Sequence, residues 1–104
     1  MYEGEWKADQ MNGKGLYAWA NGDTYNGDWK DGEINGAGIL STSQGARYEG
    51  DFVNGKRQGF GKQKNPDGTI YEGMWANDKE EGEGVFTGTD GQTKVGLWKE
   101  GAFL

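Results

Sequence analysis

Acidic side chains are the groups in this sequence best suited to acid–base chemistry. The chain of 104 residues contains no histidine and no cysteine, so neither a Ser-His-Asp triad nor a Cys-His pair can be built. Paired carboxylates can transfer protons without them, and the densest acidic run is Glu80, Glu81 and Glu83. This run adjoins a predicted hairpin turn, so we interpret it as a solvated edge. We predict no catalytic residue and no enzyme.

Two kinds of glycine-containing segment could bind phosphate or metal. The segments "GKGLYA" and "GEGVFTG" have the glycine spacing of phosphate-binding loops, but they lack the helix and the lysine that such a loop requires. The segments "NPDGT" and "GTDGQ" have too few oxygen ligands for a calcium loop. The sequence therefore predicts no metal site and no cofactor.

Regularly spaced aromatic side chains are the strongest candidates for partner binding. Tryptophan and tyrosine are typical hot-spot residues of protein interfaces, and an exposed stripe of rings would mark an interaction surface. The alternative is that the rings cover neighbouring glycines and form the only core available. The predicted stripe consists of Tyr2, Trp6, Tyr25, Trp29, Tyr48, Phe52, Tyr71, Trp75 and Trp98.

Basic residues between positions 56 and 64 are a second candidate surface. A small basic patch can bind anionic phospholipid or an acidic partner. The net charge of −6 works against lipid binding and against nucleic acid as a partner. An ordinary solvated face is the alternative. The candidate lipid patch consists of Lys56, Arg57, Lys62 and Lys64.

A 23-residue repeat organises these residues. The pattern Tyr-x-Gly-x-aromatic begins at Tyr2, Tyr25, Tyr48 and Tyr71, and a degraded copy begins at Lys94. The twelfth, fourteenth and twenty-first positions are glycine in every complete copy. Such periodicity indicates a repeat protein. We interpret the whole chain, 1–104, as one array with the repeats 2–24, 25–47, 48–70, 71–93 and a partial 94–104.

Each repeat predicts two strands. Asn-Gly, Asp-Gly and related pairs occur at the seventh and eighth and at the twentieth and twenty-first positions, and such pairs favour type I′ hairpin turns. Short aromatic and β-branched segments lie between them, and no window shows helical periodicity. With hydrophobic residues at only 33%, a thick core is not expected. We predict an all-β fold, an elongated single-layer antiparallel meander of stacked hairpins with about nine strands.

Glycines outside the turns need an explanation. Thirteen occupy the third, twelfth and fourteenth positions, and a strand glycine costs about 0.5–1 kcal/mol relative to alanine. We expect aromatic rings from adjacent strands to lie over these glycines and to offset the cost.

The segment "YEGEWKADQMNGKGLYAWANGDTYNGDW" resembles the MORN repeat (membrane occupation and recognition nexus). Tyr-x-Gly-x-Trp, the Gly-x-Gly pair and the closing Asn-Gly carry the resemblance, which covers nearly the whole chain. It implies an elongated sheet of hairpins and a scaffold role in cytoskeletal, ciliary or membrane-contact assemblies, or a regulatory module attached to an enzyme. The chain departs from the pattern at Phe52, Met74, Lys94 and Leu97.

The function that we expect is a non-enzymatic scaffold that binds a partner protein through the aromatic stripe and the open sheet edges. The alternatives are an adaptor for anionic phospholipid, a module that binds choline or glycans between its rings, and a regulatory part of an enzyme. Open edges also allow a fragment of a larger protein, a subunit covered by a neighbour, or an edge-to-edge homo-oligomer. No apolar run is long enough to span a membrane, and the first repeat leaves no room for a signal peptide. We expect a cytoplasmic protein that associates peripherally with the cytoskeleton or a membrane.

Overall fold

The computed structural model of the protein describes residues 1–104 and contains only β-strands. All ten strands pair in chain order in one antiparallel sheet, which measures 46 × 24 × 16 Å. This confirms the predicted single-layer meander, with one strand more than expected. The strands are β1 Tyr2–Lys7, β2 Gln10–Ala18, β3 Thr24–Lys30, β4 Glu33–Ser41, β5 Arg47–Val53, β6 Lys56–Lys64, β7 Ile70–Ala76, β8 Lys79–Thr87, β9 Thr93–Lys99 and β10 Ala102–Phe103.

The additional strand is β10, which folds the C-terminal residues back onto β9. Glu100 and Gly101 both have positive φ, as in the short turns of the other repeats, and Phe103 then pairs with Trp98. The turn brings the Phe103 ring to 4.7 Å from the Trp98 ring, so the chain itself supplies the partner of this apolar residue.

Two-residue turns join the two strands of each repeat. Both turn residues have positive φ, for example 51° at Asp31 and 82° at Gly32. This is the type I′ geometry that the sequence predicted, and it matches the right-handed twist of the flanking strands.

The turns between repeats differ from the predicted type I′ geometry. Only the glycine has positive φ, so each is a three-residue loop: Gly22 N–H donates to Trp19 O at 3.1 Å, and Trp19 N–H donates to Asp23 O at 2.9 Å. The preceding Asn21 keeps negative φ, and its side-chain oxygen accepts the Asp23 N–H at 3.0 Å. The Asn or Asp at this position therefore acts through its side chain as an Asx turn.

Glycines at the twelfth position lie in β-bulges. In the first repeat, the pairs Gly4–Gly15 and Trp6–Met11 leave Glu5 opposite three residues of β2, and Gly13 there has a φ of 81°. Glycine relieves strain at this conformation. The four twelfth-position glycines are therefore required by the bulge, and their inclusion in the strand penalty was wrong.

The remaining strand glycines pair with one another across the whole sheet. The interior third-position glycines lie opposite a fourteenth-position glycine on both neighbouring strands, as Gly27 does with Gly15 and Gly38, whereas Gly4 and Gly96 each have one such partner. A methyl group at Gly38 would overlap the Tyr25 phenol, and one at Gly27 would lie 2.5 Å from Gly38 Cα. This glycine ladder, covered by tyrosine rings, confirms the expected offset. It consists of Gly4, Gly15, Gly27, Gly38, Gly50, Gly61, Gly73, Gly84 and Gly96.

Candidate functional site

The aromatic side chains form one continuous row on a single face of the sheet, which we call the aromatic face. The first and fifth positions of each repeat share this face because side chains alternate along a strand. Each ring contacts the next edge-on: Trp29 lies 5.5 Å from Tyr2 and 5.3 Å from Tyr25, and Phe52 lies 5.4 Å from Tyr25. Edge-to-face pairs stabilise by about 0.5–1.5 kcal/mol beyond their burial.

Most of this row is buried. Seven of the nine predicted stripe residues are 5% exposed or less and form the hydrophobic core. For these seven the burial agrees with the interpretation of the rings as the core over the glycines, and partner binding through the stripe stays a prediction. Half-buried side chains from the even-numbered strands pack over the rings from both sides, and the rings touch one another. The covering residues are Met11, Tyr17, Ile34, Leu40 and Phe86.

The polar atoms of the buried rings are satisfied within the sheet. Tyr25 Oη donates to Asp28 O at 3.1 Å and Tyr48 Oη donates to Asp51 O at 2.9 Å. The Trp29 indole N–H donates to Gly15 O at 3.1 Å, on the strand before it. Burial, with the nearby acidic side chains, raises the pKa of Tyr25 and of Tyr48 to about 12. These phenols therefore act as neutral hydrogen-bond donors that hold the repeat together.

Comparison of the sequence with models of protein families agrees with this repeat architecture. The family model described as the MORN repeat matches four consecutive segments, 2–24, 25–47, 48–70 and 71–93. The chain is a MORN-repeat protein. Comparison with curated proteins gave no significant match. MORN repeats are typical of repeat scaffolds and interaction modules, and the four matched segments have the boundaries that the sequence period predicted.

The first MORN repeat leaves its ring at the open edge of the sheet. Trp6 is 59% exposed, and its only ring contact is Tyr2 at 4.9 Å. Strand β1 pairs with β2 alone. Tyr2 is half-buried because the following Trp29 covers it. Of the nine predicted stripe residues, Trp6 therefore offers by far the largest accessible surface.

The last MORN repeat has a different end. Lys94 replaces the leading tyrosine, and the Phe103 ring occupies the space over Gly96, where a methyl group would lie 2.9 Å from Phe103 Cε1. The Lys94 ammonium lies 5.9 Å from the centre of the same ring. Trp98 is buried as a result.

The four predicted basic residues do not form one patch. Lys62 and Lys64 lie on the face opposite the aromatic face, where they pair with Glu49 and Arg47. Arg57 lies on the aromatic face, 4.5 Å above the Trp75 ring, and its side chain donates to Asp78. Lys56 is at the turn end of β6. The grouping of Arg57 with the lysines was wrong because adjacent residues alternate faces, whereas lipid binding itself stays a prediction.

The acidic run also divides between environments. Glu80 pairs with Trp75 on the aromatic face, Glu83 pairs with Leu97 on the opposite face, and Glu81 accepts the Glu100 N–H at 2.7 Å. The three carboxylates therefore do not converge on one point. The structure contains no helix that could cross a membrane.

Proposed function

We propose that this MORN-repeat protein is a non-enzymatic scaffold that binds a partner protein through the open edge of β1 and the adjoining aromatic face. The assembly that it serves is of the cytoskeletal, ciliary or membrane-associated kind. The observation that carries the proposal is Trp6, a large exposed ring on an edge strand that is paired on one side only. Exposed tryptophans at sheet edges are suited to interface hot spots.

The other repeats indicate what would cover Trp6. Trp29 and Trp75 each contact the tyrosine of the preceding repeat and donate their indole N–H to a glycine carbonyl of the preceding strand. Trp6 has neither contact. An extended partner segment that paired with β1 could supply both, since its backbone carbonyls would face the indole and an aromatic side chain could lie against the ring. This is β-augmentation of a sheet edge.

The experiment uses the whole chain as bait for partner capture from native extract, followed by amide hydrogen exchange on the purified complex. We expect the captured partner to slow exchange of the β1 amides, and Trp6→Ser to weaken binding by about tenfold, a loss of about 1.4 kcal/mol. Val53→Ser is the matched control, because Val53 is also an exposed apolar residue at a strand end. A partner that binds equally well after Trp6→Ser, or leaves β1 exchange unchanged, would contradict the proposal.

Trp29 and Trp75 are unsuitable for this test. Both rings are core residues, so their replacement would destabilise the fold together with any binding surface. Loss of partner binding in such variants would not distinguish a binding role from a structural one.

Anionic phospholipid binding remains the second candidate. Its support is the cluster of Lys62, Lys64 and Arg47 around Glu49 on the face opposite the rings, although Glu49 lies only 3.5 Å from the Arg47 guanidinium. We expect any binding to phosphatidylserine vesicles to weaken as salt is raised and to be lost in Lys62→Glu with Lys64→Glu. Binding that ignores both changes would exclude this cluster.

A further inference from the structure

The face opposite the rings, which we call the outer face, changes character along the array. In the first three repeats its fourth-position residues are acidic and serve the bulge: Glu5 accepts the Lys14 N–H at 2.6 Å, and Asp28 accepts the Ala37 N–H at 3.3 Å. Asp51 lies beside the equivalent Gly59. In the fourth and fifth repeats the same position is Met74 and Leu97, which cannot accept these bonds.

These two substitutions join other apolar residues in one patch, which we call the apolar patch. It spans four neighbouring strands, because Phe60 of β6 pairs with Met74 of β7, and Val85 of β8 pairs with Val95 of β9. Phe60 is 55% exposed and Val95 is 72% exposed. The patch lines a shallow groove of about 710 Å³ and consists of Phe60, Met74, Val85, Val95 and Leu97.

Two carboxylates lie within the same groove. Glu72 and Glu83 line it beside the apolar side chains, and neither accepts a hydrogen bond or forms an ion pair in the structure. On this face Lys62 lies opposite Glu72 in the strand register without forming an ion pair, and Glu83 lies opposite Leu97. An occupant that combines apolar side chains with positive charge would match this lining.

The backbone of the occupant is constrained as well. Strands β6 to β8 are paired on both sides, whereas β9 pairs with β8 throughout and with β10 only at Trp98 and Lys99. Because the backbone hydrogen-bonding groups of a sheet lie in its plane, the face itself offers none to a chain that lies across it. A segment that lies across it has to satisfy its own backbone hydrogen bonds, as a helix does. Three strand spacings give a patch about 14 Å wide, and about three helical turns, roughly 16 Å, cover that distance.

Charge distinguishes this occupant from two others. A second copy of the same patch would bring two further carboxylates into contact with Glu72 and Glu83 without adding basic groups from the groove lining, and an anionic membrane would meet the same two carboxylates. Like charges in close contact disfavour both arrangements. A helix with lysine or arginine beside its apolar stripe is attracted by them.

We propose that the outer face of strands β6 to β9 docks an amphipathic helix of a partner protein, with an apolar stripe flanked by lysine or arginine. The apolar patch receives the stripe, and Glu72 and Glu83 pair with the basic flanks. This site is on the opposite face from Trp6, so it stands or fails independently of the function proposed above.

The test measures binding of dye-labelled peptides of roughly 18 residues, five helical turns, to the whole chain by fluorescence anisotropy. One peptide has leucine at i, i+3, i+4 and i+7 with lysine elsewhere, and its partner has glutamate in place of lysine. The decisive variant is Met74→Asp with Leu97→Asp, which installs the residue that Asp28 and Asp51 already provide in a folded repeat. The control is Leu16→Asp with Val53→Asp, two exposed outer-face residues outside the patch, which adds the same charge.

We expect the decisive variant to weaken binding of the lysine peptide at least about tenfold, although it adds two negative charges that would strengthen a purely electrostatic attraction. The control should bind as tightly as the unaltered chain or more tightly. The glutamate peptide should bind at least about tenfold more weakly than the lysine peptide at low salt. Unchanged or stronger binding of the lysine peptide to the decisive variant would overturn the proposal. The proposal would also be overturned if the unaltered chain bound neither peptide and instead self-associated or bound vesicles, and if Met74→Asp with Leu97→Asp abolished that self-association or vesicle binding.

Discussion

Trp6 and Trp98 occupy the same position in the first and last repeats, yet one is 59% exposed and the other 5%. Trp98 lies between Tyr71 at 5.1 Å and Phe103 at 4.7 Å, whereas Trp6 contacts only Tyr2. The residue type is the same, so the neighbouring ring decides the burial. In this array the core is built between repeats, as in other repeat proteins whose units contact only their neighbours.

The same comparison explains why the two ends differ in what they can bind. The turn at Glu100 and Gly101 returns Phe103 to the C-terminal ring, so that end of the row is covered by its own chain. At β1 both the strand edge and the ring are open. The β1 end therefore differs from the C-terminal end in the two features on which the proposed partner binding depends, an open strand edge and an uncovered ring.

We expect the largest effect on stability from the loss of a ring in the interior of the row, compared with the loss of Trp6 at its open end. Trp75→Ala removes a ring that contacts Tyr48 and Tyr71 and leaves a cavity in the core, which should lower the free energy of unfolding by about 3–5 kcal/mol. Trp6→Ala should lower it by less than about 1 kcal/mol, because the ring is mostly exposed and has a single partner. Urea unfolding followed by circular dichroism measures both. Similar losses for the two variants would contradict burial by neighbouring repeats.

We expect a smaller loss of stability from alanine substitutions in the glycine ladder, and a larger loss at an interior glycine than at the terminal one. Gly38→Ala would place a methyl group in the Tyr25 phenol and displace its hydrogen bond to Asp28 O, so we expect a loss of roughly 3 kcal/mol, at the upper end for overpacking. Gly96→Ala meets only the Phe103 ring at the end of the two-residue strand β10.

For Gly96→Ala, the lower chain entropy of the unfolded state offsets much of the cost, and the loss should be about 1 kcal/mol or less. Thermal unfolding of the two variants compares them directly. If Gly96→Ala proved as destabilising as Gly38→Ala, the terminal repeat would be packed as rigidly as the interior.

The sequence predicted the parts of the fold that depend on local chemistry and period. Asn-Gly, Asp-Gly and related pairs predicted the short turns within each repeat. The alternation of side chains along a strand placed the Tyr and Trp of each repeat on one face. The energetic cost of glycine in strands predicted aromatic rings above the glycines. The sequence left open whether the rings form an exposed stripe or a core, because their burial depends on how far the flanking Ile34 and Leu40 close over the row, and a linear sequence does not give that distance.

The sequence contains enough information to assign more residues to one face of the sheet or the other. Arg57, Lys62 and Lys64 lie in one strand. Because side chains alternate between faces along a strand, the odd spacing from Arg57 to Lys62 already places the two on opposite faces. The apolar patch also had a signal, since Met74 and Leu97 interrupt the acidic fourth positions. Its other members come from different positions of the repeat, and only the strand register brings Phe60 and Val95 beside them.

We expect the smallest effect from uncovering the C-terminal end of the ring row, which Phe103 covers in the structure. Phe103→Ala removes the ring that lies on Trp98, and since only one aromatic pair is lost we expect about 1 kcal/mol less stability. Trp98 should then become more accessible to solvent, although less so than Trp6, because Tyr71 of the preceding repeat still contacts it.

5-Fluorotryptophan NMR measures this accessibility through the solvent isotope shift of each ring. Leu104→Ala is the control, because Leu104 is exposed at the adjacent position and should leave the Trp98 resonance unchanged. A Trp98 resonance that keeps its small isotope shift after Phe103→Ala would show that Tyr71 and the glycine ladder suffice to bury a terminal ring. The exposure of Trp6 would then follow from the absence of a strand before β1 in the sheet, because Tyr71 belongs to the repeat before Trp98 and Trp6 has no such neighbour.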